Sequence, residues 1–166
     1  LATTRVLVVG AGEIGLKAVQ AFQSRGATSI TVASRTLARA EEAAATAGGW
    51  AASLAELPEL LASADIVTSS TAAPGYMLPR ELVAAAMKRR AARPLFLIDL
   101  ALPRDIDPAA AALPNVFLYN LDDLAEIARE NLALREAEAA KGRAIVAERS
   151  AALWPQVART LNPNAG

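Results

Sequence analysis

Short apolar runs recur along the chain at intervals that leave room for one helix and its turns. They are Arg5–Val9, Ser29–Ala33, Ile66–Thr68, Leu95–Asp99 and Val116–Tyr119, with a further short candidate at Gly49–Ala51. Most are apolar at consecutive positions rather than at alternate ones, which is typical of strands buried on both faces. Each run is therefore predicted to be a strand inside a covered sheet.

Helical patterns occupy the intervals between these runs. They cover about Gly12–Arg25, a stretch from Thr36 to near Gly48, a stretch opened by the capping box Ser53-x-x-Glu56, and Pro79–Arg90. Gly26 follows the first pattern as a helix stop, and Thr36 is placed to cap the second. The basic run Lys88–Arg90 suits the negative end of the fourth helix dipole. Strands that alternate with crossover helices predict an α/β fold, a doubly wound parallel Rossmann sheet.

After the last apolar run the pattern changes to alanine, glutamate, arginine and leucine. From Asn120 to about Ser150 there is no proline, and Gly142 is the only glycine. A helix of roughly 30 residues would be about 45 Å long, more than a compact domain of this size covers, so we expect it to project. Pro155, Pro163 and the Asn-rich end predict fraying beyond it.

The stretch VLVVGAGEIG leads from the first strand directly into the first helix. Its spacing, Gly10-x-Gly12-x-x-Gly15, is typical of loops that bind the pyrophosphate of a dinucleotide. The first glycine permits the tight turn, the second lets the backbone approach the phosphates, and the third lets helix and strand pack closely. The N–H groups at the helix start would then face the phosphates. The alternative is a tight strand–helix turn that binds no ligand.

The residues at the end of the second strand indicate which dinucleotide fits. A site for NAD places Asp or Glu there, about 20 residues after the loop, to hold the ribose 2′-hydroxyl. Here the position holds Ser34, Arg35 and Thr36, with Arg39 one turn further on. Hydroxyl and guanidinium groups bind a 2′-phosphate that a carboxylate would repel, so NADP(H) is favoured over NAD(H). The alternative is that Arg35 is solvated and Thr36 only caps the next helix.

Composition removes several classes of function. The 166 residues carry 17 basic and 17 acidic side chains, so the chain has no electrostatic footprint for nucleic acid and no basic membrane face. It contains no cysteine and no histidine, which excludes disulfides, a thiol nucleophile and the commonest general base. No apolar run approaches the length of a membrane span. Because Leu1 is not a start methionine and lies almost directly before a strand, we expect a piece of a longer, cytoplasmic protein.

Five segments together resemble the glutamyl-tRNA reductase family. They are VLVVGAGEIG, SRTLARAEE, ADIVTSSTAAP, LFLIDLALPRDIDP and NVFLYNLDDL, in the order and spacing of that family over about Val6–Arg149. The pairing of the last two segments, within Ile98–Leu124, is the most specific element. The resemblance implies three parts in full-length members: an N-terminal catalytic domain with a cysteine nucleophile, a central NADPH domain, and a long spinal helix leading into a dimerisation domain.

The resemblance implies that residues 1–120 are the NADPH-binding domain and residues 121–166 the beginning of the spinal, dimerising helix and its tail. The family enzyme reduces the glutamyl group of glutamyl-tRNA to glutamate-1-semialdehyde, an early step toward tetrapyrroles, through an enzyme thioester. Lacking the catalytic domain, the chain alone is expected to be inactive, to bind no tRNA and to form a homodimer through its helix. We assign it no catalytic residue and no metal ligand.

The resemblance also implies a set of NADPH-binding residues. They are Gly10, Ala11, Gly12, Glu13, Ile14, Gly15, Ser34, Arg35, Thr36, Arg39, Ser69, Ser70, Thr71, Asp99 and Ala101. The hydroxyl cluster Ser69–Thr71 ends a strand at the carboxyl edge of the sheet, where it either faces the cofactor or caps a turn. Asp99 is either a buried polar anchor or a direct contact. Arg104 either faces substrate or, as we favour, pairs with Asp105 or Asp107.

Three further side chains are given structural roles. Glu13 is expected to be solvated, because a carboxylate aimed at a pyrophosphate would repel it. Trp50 and Tyr119 are expected to pack rather than to serve as stacking platforms.

Two other functions stay open. One is the cofactor domain of a reductase of the shikimate dehydrogenase kind, which uses a similar strand-end Asn-Arg-Thr. The other is a binding module that senses NADP(H) and assembles through its helix without chemistry. Sequence upstream of Leu1 would separate them, since a catalytic motif there would establish the reductase.

Overall fold

The computed structural model describes residues 1–90 and 92–161. Six parallel strands form one sheet in the order β3-β2-β1-β4-β5-β6. They are β1 (Arg5–Val9), β2 (Ser29–Ser34), β3 (Trp50–Ser53), β4 (Ile66–Ser69), β5 (Leu95–Asp99) and β6 (Val116–Asn120). The order reverses between β1 and β4, so the sheet is doubly wound and the predicted fold class is confirmed.

The helices follow the start and stop signals in the sequence. They are α1 (Glu13–Ser24), α2 (Leu37–Ala45), α3 (Leu57–Ser63), α4 (Arg80–Lys88) and α5 (Leu121–Leu161), with 3₁₀ turns at Leu54–Glu56 and Pro108–Ala112. The predicted capping box is present, since the backbone N–H of Ser53 donates to Glu56 Oε1 over 2.8 Å. It closes the first turn after β3 and so directs the chain into α3.

The third strand lies further along the chain than predicted, at Trp50–Ser53 rather than Gly49–Ala51. Gly49 instead passes close to β2, where a Cβ would lie 2.3 Å from the carbonyl oxygen of Ile30. The prediction that Trp50 packs is wrong, because its side chain is 59% exposed on the edge strand.

The last helix is longer than predicted. It has 41 residues and continues through Pro155, although a proline removes one N–H from the helix and crowds the preceding turn. Leu153, Gln156 and Ala158 lie within three positions of Pro155, and their high helix propensity favours continuation. The projection of this helix stays a prediction, and Pro163 with the Asn-rich end lies outside the described residues.

The chain divides into two compact units, Leu1–Leu121 and Asp122–Gly166. Within the described residues the second unit consists of α5 alone. The first unit contains the sheet and both hydrophobic clusters. One cluster, which includes Leu7, Leu61 and Leu97, lies between the sheet and helices α3 and α4. The other, which includes Val8 and Val19, lies between the sheet and helices α1 and α2.

Arg90 connects three segments at the amino edge of the sheet. It is 2% exposed, and its guanidinium donates to the carbonyl oxygens of Leu61, Ala64 and Pro94, the first over 2.9 Å and the last over 2.6 Å. Its role therefore differs from the predicted interaction with the α4 dipole, because it satisfies carbonyls at the end of α3 and before β5. Burial lowers the pKa of Arg90, but an arginine keeps its charge in proteins.

We predict that Arg90→Met lowers the free energy of unfolding by about 2–4 kcal/mol, because three or more buried carbonyls lose a charged donor. Urea unfolding of the 166-residue chain measures this. Arg89→Met is the matched control, since the exposed Arg89 makes only a 3.7 Å pair with Glu59 and should cost less than about 1 kcal/mol. Equal losses in the two variants would contradict the assignment.

Candidate functional site

A cavity of about 510 Å³ opens at the carboxyl edge of the sheet, where the strand order reverses between β1 and β4. This volume is typical of sites for small ligands and cofactors. The wall is formed by Gly10, Ala11, Gly12, Glu13, Ile14, Ser34, Arg35, Thr36, Arg39, Leu54, Ser70, Thr71, Ala72, Ala73, Pro74 and Met77. Four segments therefore meet here: the glycine loop after β1, the end of β2 with the beginning of α2, the turn after β3, and the loop after β4.

The three positions of the loop hold glycine for different structural reasons. Gly10 has a φ of +106°, and a Cβ there would stand 2.7 Å from the carbonyl oxygen of Ser70. A Cβ on Gly15 would stand 2.1 Å from the carbonyl oxygen of Gly10. Gly12, by contrast, has ordinary backbone angles, and a Cβ there would meet nothing within 4 Å. The fold requires Gly10 and Gly15, whereas the open backbone at Gly12 leaves space in the cavity for a ligand.

Helix α1 begins against the same cavity without a side-chain cap. Gly12 is the residue before the helix, and its carbonyl accepts the N–H of Leu16 over 2.9 Å. The first N–H groups of a helix have no partner within it, so those beginning at Glu13 are available to an anion.

Glu13 itself lies at the mouth of the loop and is solvated as predicted, with its side chain 81% exposed. Its carboxylate accepts a hydrogen bond from Lys17 Nζ over 2.7 Å, one turn along α1. This hydrogen bond and the positive charge of Lys17 lower the pKa of Glu13. The pair leaves the beginning of the helix less negative than an isolated carboxylate would.

The end of β2 presents hydroxyl and guanidinium groups to the cavity. Ser34, Arg35, Thr36 and Arg39 all lie on the wall, and among the described residues neither arginine makes an ion pair. Thr36 stands at the predicted cap position of α2, but its side chain makes no capping hydrogen bond, which corrects that expectation. Its hydroxyl is therefore not committed to the helix.

The three hydroxyls at the end of β4 separate into different environments. Ser69 is buried and donates to Asp105 Oδ2 over 2.7 Å, so it does not reach the cavity wall. Ser70 and Thr71 do line the cavity. The Ser70 hydroxyl oxygen is buried and lacks a hydrogen-bond partner within the described part of the chain. A buried hydroxyl without a partner is costly, so a ligand that supplies one would be favoured here.

Asp99, Ala101 and Gly15 also lie behind the wall rather than on it. Asp99 is 2% exposed, and its carboxylate accepts the backbone N–H groups of Ala101, Asp105 and Ile106 over 3.0–3.3 Å. Of the two roles weighed for Asp99, this geometry is that of a buried anchor for the loop after β5. Ala101 is 6% exposed beside it.

The favoured pairing of Arg104 is wrong. Asp105 binds the side chains of Ser69 and Thr71, and Asp107 accepts the backbone N–H of Ala109 over 2.9 Å. Both carboxylates are thus directed into the chain's own turns, and Arg104 is exposed without an ion pair among the described residues.

Sequence reasoning missed two features of the site. The apolar side chains of Leu54 and Met77 line the cavity, but neither stands in a recognisable motif. Asp105 was considered only as a partner for its neighbour Arg104, although it is fully buried and holds the loop after β4. The sequence did contain a signal for the role of Asp105: a carboxylate within an otherwise apolar segment is expected to be buried, and a buried carboxylate needs hydrogen-bond partners from elsewhere in the fold.

The described residues contain no cluster of three or more histidine, cysteine or acidic side chains placed to hold a metal ion. Within residues 1–90 and 92–161, no helix combines the length and apolar character that crossing a bilayer requires. The chemistry of the wall is that of binding: backbone N–H groups, hydroxyls and two guanidinium groups around an open glycine backbone. These donors fit a phosphorylated ligand such as a dinucleotide.

Comparisons of the sequence with known proteins give consistent results. A family model described as shikimate / quinate 5-dehydrogenase matches residues 1–127. The glutamyl-tRNA reductase of Syntrophus aciditrophicus is 51% identical over 143 residues, which are 86% of this chain and 34% of that protein. That of Geobacillus thermodenitrificans is 50% identical over 135 residues, 81% of this chain and 30% of that protein. The chain therefore spans about a third of the length of these curated relatives.

Solved structures show the same similarity. Glutamyl-tRNA reductase from Methanopyrus kandleri superposes with a TM-score of 0.81 at 37% identity, over 95% of this chain and 40% of that one. The nucleotide-binding domain of the Thermoplasma volcanium enzyme superposes with a TM-score of 0.58 at 22% identity, over 80% of this chain and 86% of that one, and shows the fold alone. The resemblance seen in the sequence motifs is confirmed. The chain belongs to the shikimate / quinate 5-dehydrogenase family and is homologous to the nucleotide-binding region of the glutamyl-tRNA reductases.

Proposed function

We propose that this chain is the NADPH-binding part of a glutamyl-tRNA reductase, which reduces the glutamyl group of glutamyl-tRNA to glutamate-1-semialdehyde in tetrapyrrole synthesis. The observation that carries the cofactor choice is the cavity wall, where Ser34, Arg35 and Thr36 stand at the position that holds a carboxylate in NAD sites. The relatives at 51% and 50% identity, which are named for this reaction, support the rest.

The glycine loop would hold the pyrophosphate of the cofactor. The backbone at Gly12 is open, and the first N–H groups of α1 point toward the loop without a side-chain cap. The Ser70 hydroxyl, buried and without a partner among the described residues, would gain one from the ligand. A nicotinamide cofactor bound here supplies the hydride for the reduction.

The end of β2 would select the phosphorylated cofactor. Arg35 and Arg39 are exposed on the wall and free of ion pairs within the described chain, so each can turn toward a 2′-phosphate. Ser34 and Thr36 add hydroxyl donors, and Thr36 is not used as a helix cap. Charge-assisted hydrogen bonds of this kind are stronger than neutral ones, which favours NADPH over NADH.

One observation counts against each of two other functions. The family description favours a reductase of the shikimate dehydrogenase kind. However, the Mycobacterium fortuitum shikimate 5-dehydrogenase is only 22% identical and shares the fold alone, against 37% identity for the Methanopyrus kandleri enzyme. A non-catalytic module fits the lack of cysteine and histidine. It does not explain why the sequence is about half identical to proteins named as reductases.

The helix α5 would contribute to a homodimer. Its apolar side chains Ile127, Leu132, Ile145 and Val146 are 41–65% exposed. At about 100° per residue they fall within an arc of roughly 140° around the helix, and Lys141 Nζ pairs with Glu138 Oε1 at 2.8 Å. A single helix cannot bury its own apolar face. Each apolar side chain that a partner covers contributes roughly 1.5–3 kcal/mol, so a second copy is favoured.

The first prediction from this proposal concerns cofactor choice. The 166-residue chain should bind NADPH more tightly than NADH, and Arg35→Ala should remove most of the difference, on the order of 1.5–3 kcal/mol for a charged hydrogen bond. Titration calorimetry with both cofactors measures it. Arg25→Ala, at an exposed arginine beyond the far end of α1, is the matched control and should leave the preference intact. Equal affinities for the two cofactors in the unmodified chain would refute the proposed specificity.

A second prediction concerns activity. The purified chain should form no glutamate-1-semialdehyde from glutamyl-tRNA and NADPH above the blank, because a thioester mechanism needs a thiolate and this chain has no cysteine. The assay is run at saturating NADPH with a glutamyl-tRNA reductase as positive control. Turnover by the chain would mean that its own residues perform the chemistry.

A third prediction concerns assembly. The chain should form a weak dimer that dissociates on dilution, and Ile127→Glu should shift the equilibrium to monomer because it introduces a charge into the apolar face. Ala133→Glu is the matched control, since six residues turn the helix by roughly 600° and so place Ala133 about 120° around the helix from Ile127. Sedimentation across a wide concentration range measures both. A strict monomer at the highest concentration, or equal effects of the two variants, would contradict the assembly through this face.

A further inference from the structure

The loop after β4, residues Ser70–Pro74, forms one wall of the cavity and yet has little structure of its own. Its conformation depends on a carboxylate from another segment. The backbone N–H of Thr71 donates to Asp105 Oδ2 over 2.6 Å, and the Thr71 hydroxyl donates to Asp105 Oδ1 over 2.5 Å. Asp105 thus accepts hydrogen bonds from both the main chain and the side chain of the wall residue Thr71.

The hydrogen bonds continue from Thr71 to Ala73 in the same wall. Because the Thr71 hydroxyl gives its proton to Asp105, its oxygen is free to accept, and it receives the backbone N–H of Ala73 over 3.2 Å. The order of donors is fixed from Ala73 through Thr71 to Asp105. A side chain at position 105 that donates instead of accepting would reverse the hydrogen bond between it and the Thr71 hydroxyl.

Asp105 is itself held from three sides. It is 0% exposed, and its Oδ2 also accepts the hydroxyl of Ser69 over 2.7 Å. Its backbone N–H donates to Asp99 Oδ1 over 3.3 Å, and its carbonyl accepts the N–H of Leu78 over 3.0 Å. The carboxylate therefore transmits the position of the β5 end to a loop that follows β4.

We propose that Asp105 is a positioning residue for the half of the dinucleotide that lies on the β4 side of the cavity, the nicotinamide half, because it fixes the wall at Thr71 and Ala73. This inference rests on the proposed function. Strand order places the β2 end, with Arg35, and the β4 end, with Thr71, on opposite sides of the glycine loop after β1. A dinucleotide across this crevice has its adenosine half on the β2 side. The β4 wall then faces the other half.

The test compares two probes on the 166-residue chain: NADPH, which spans both sides, and adenosine 2′,5′-bisphosphate, which carries only the phosphorylated adenosine. Asp105→Asn places an amide donor against the Thr71 hydroxyl. It should weaken NADPH on the order of tenfold while the affinity for adenosine 2′,5′-bisphosphate stays within about twofold. Arg35→Ala should weaken both probes.

Matched variants separate positioning from a general loss of folding. Asp107→Asn changes a carboxylate that accepts the N–H of Ala109, so it should leave both affinities unchanged. Thr71→Val removes the hydroxyl and should reproduce the selective loss, whereas Thr71→Ser keeps the hydroxyl and should restore NADPH binding. This last pair decides the question if Asp105→Asn does not fold.

A measurement without ligand completes the test. Hydrogen exchange at the amides of Thr71 and Ala73 should accelerate in Asp105→Asn and not in Asp107→Asn, because only the former weakens the bonds that protect them. Unchanged exchange, unchanged NADPH affinity, or an equal loss of both probes in the folded variants overturns the positioning role. If the unmodified chain binds neither NADPH nor the bisphosphate while the exchange result holds, the proposed function falls and the hydrogen-bond chain stands as structural.

Discussion

The structure depends on a close approach of three backbones where the sheet reverses its order. A Cβ on Gly10 would stand 2.7 Å from the carbonyl oxygen of Ser70, and a Cβ on Gly15 would stand 2.1 Å from that of Gly10. The end of β1, the end of β4 and the start of α1 can therefore meet only if both positions lack a side chain. This contact brings the residues after β2 and after β4 to the two sides of one loop, and the cavity is the space that remains between them.

Most of the fold could be predicted from the sequence because its signals are local. Runs that are apolar on both faces identify β1 and β5 at their observed bounds, and glycine and the capping box of Ser53 and Glu56 mark where helices end and begin. The glycine spacing likewise gave the loop and, through the chain order of a doubly wound sheet, the place of the cavity. Pro155 misled because a proline is a strong local signal that its helix-forming neighbours override.

The features that the sequence could not supply involve partners far apart in the chain. Arg90 donates to Leu61, 29 positions away, and Asp105 accepts from Ser69, 36 positions away. A charged residue in an apolar segment signals only that some partner exists. Which partner it is depends on how strands β4 and β5 are registered, and that is a property of the assembled sheet. For the same reason the sequence favoured a pair between Arg104 and the neighbouring carboxylates of Asp105 or Asp107. In the fold those carboxylates accept hydrogen bonds from other residues.

The two walls of the cavity illustrate different ways of building a binding surface. On the β2 side the arginines are exposed, and an exposed guanidinium is satisfied by water, so it needs no fixed partner before a ligand arrives. On the β4 side most polar groups are buried, and most buried polar groups find their partners within the protein whether or not a ligand is present. The carboxylates of Asp99 and Asp105 supply those partners through backbone N–H groups and hydroxyls. Charge on the first wall can therefore discriminate between ligands, while the second wall has its shape fixed in advance. The Ser70 hydroxyl lies where the end of β4 meets the glycine loop and has no hydrogen-bond partner among the described residues. It is therefore the group on this wall that a ligand can still satisfy.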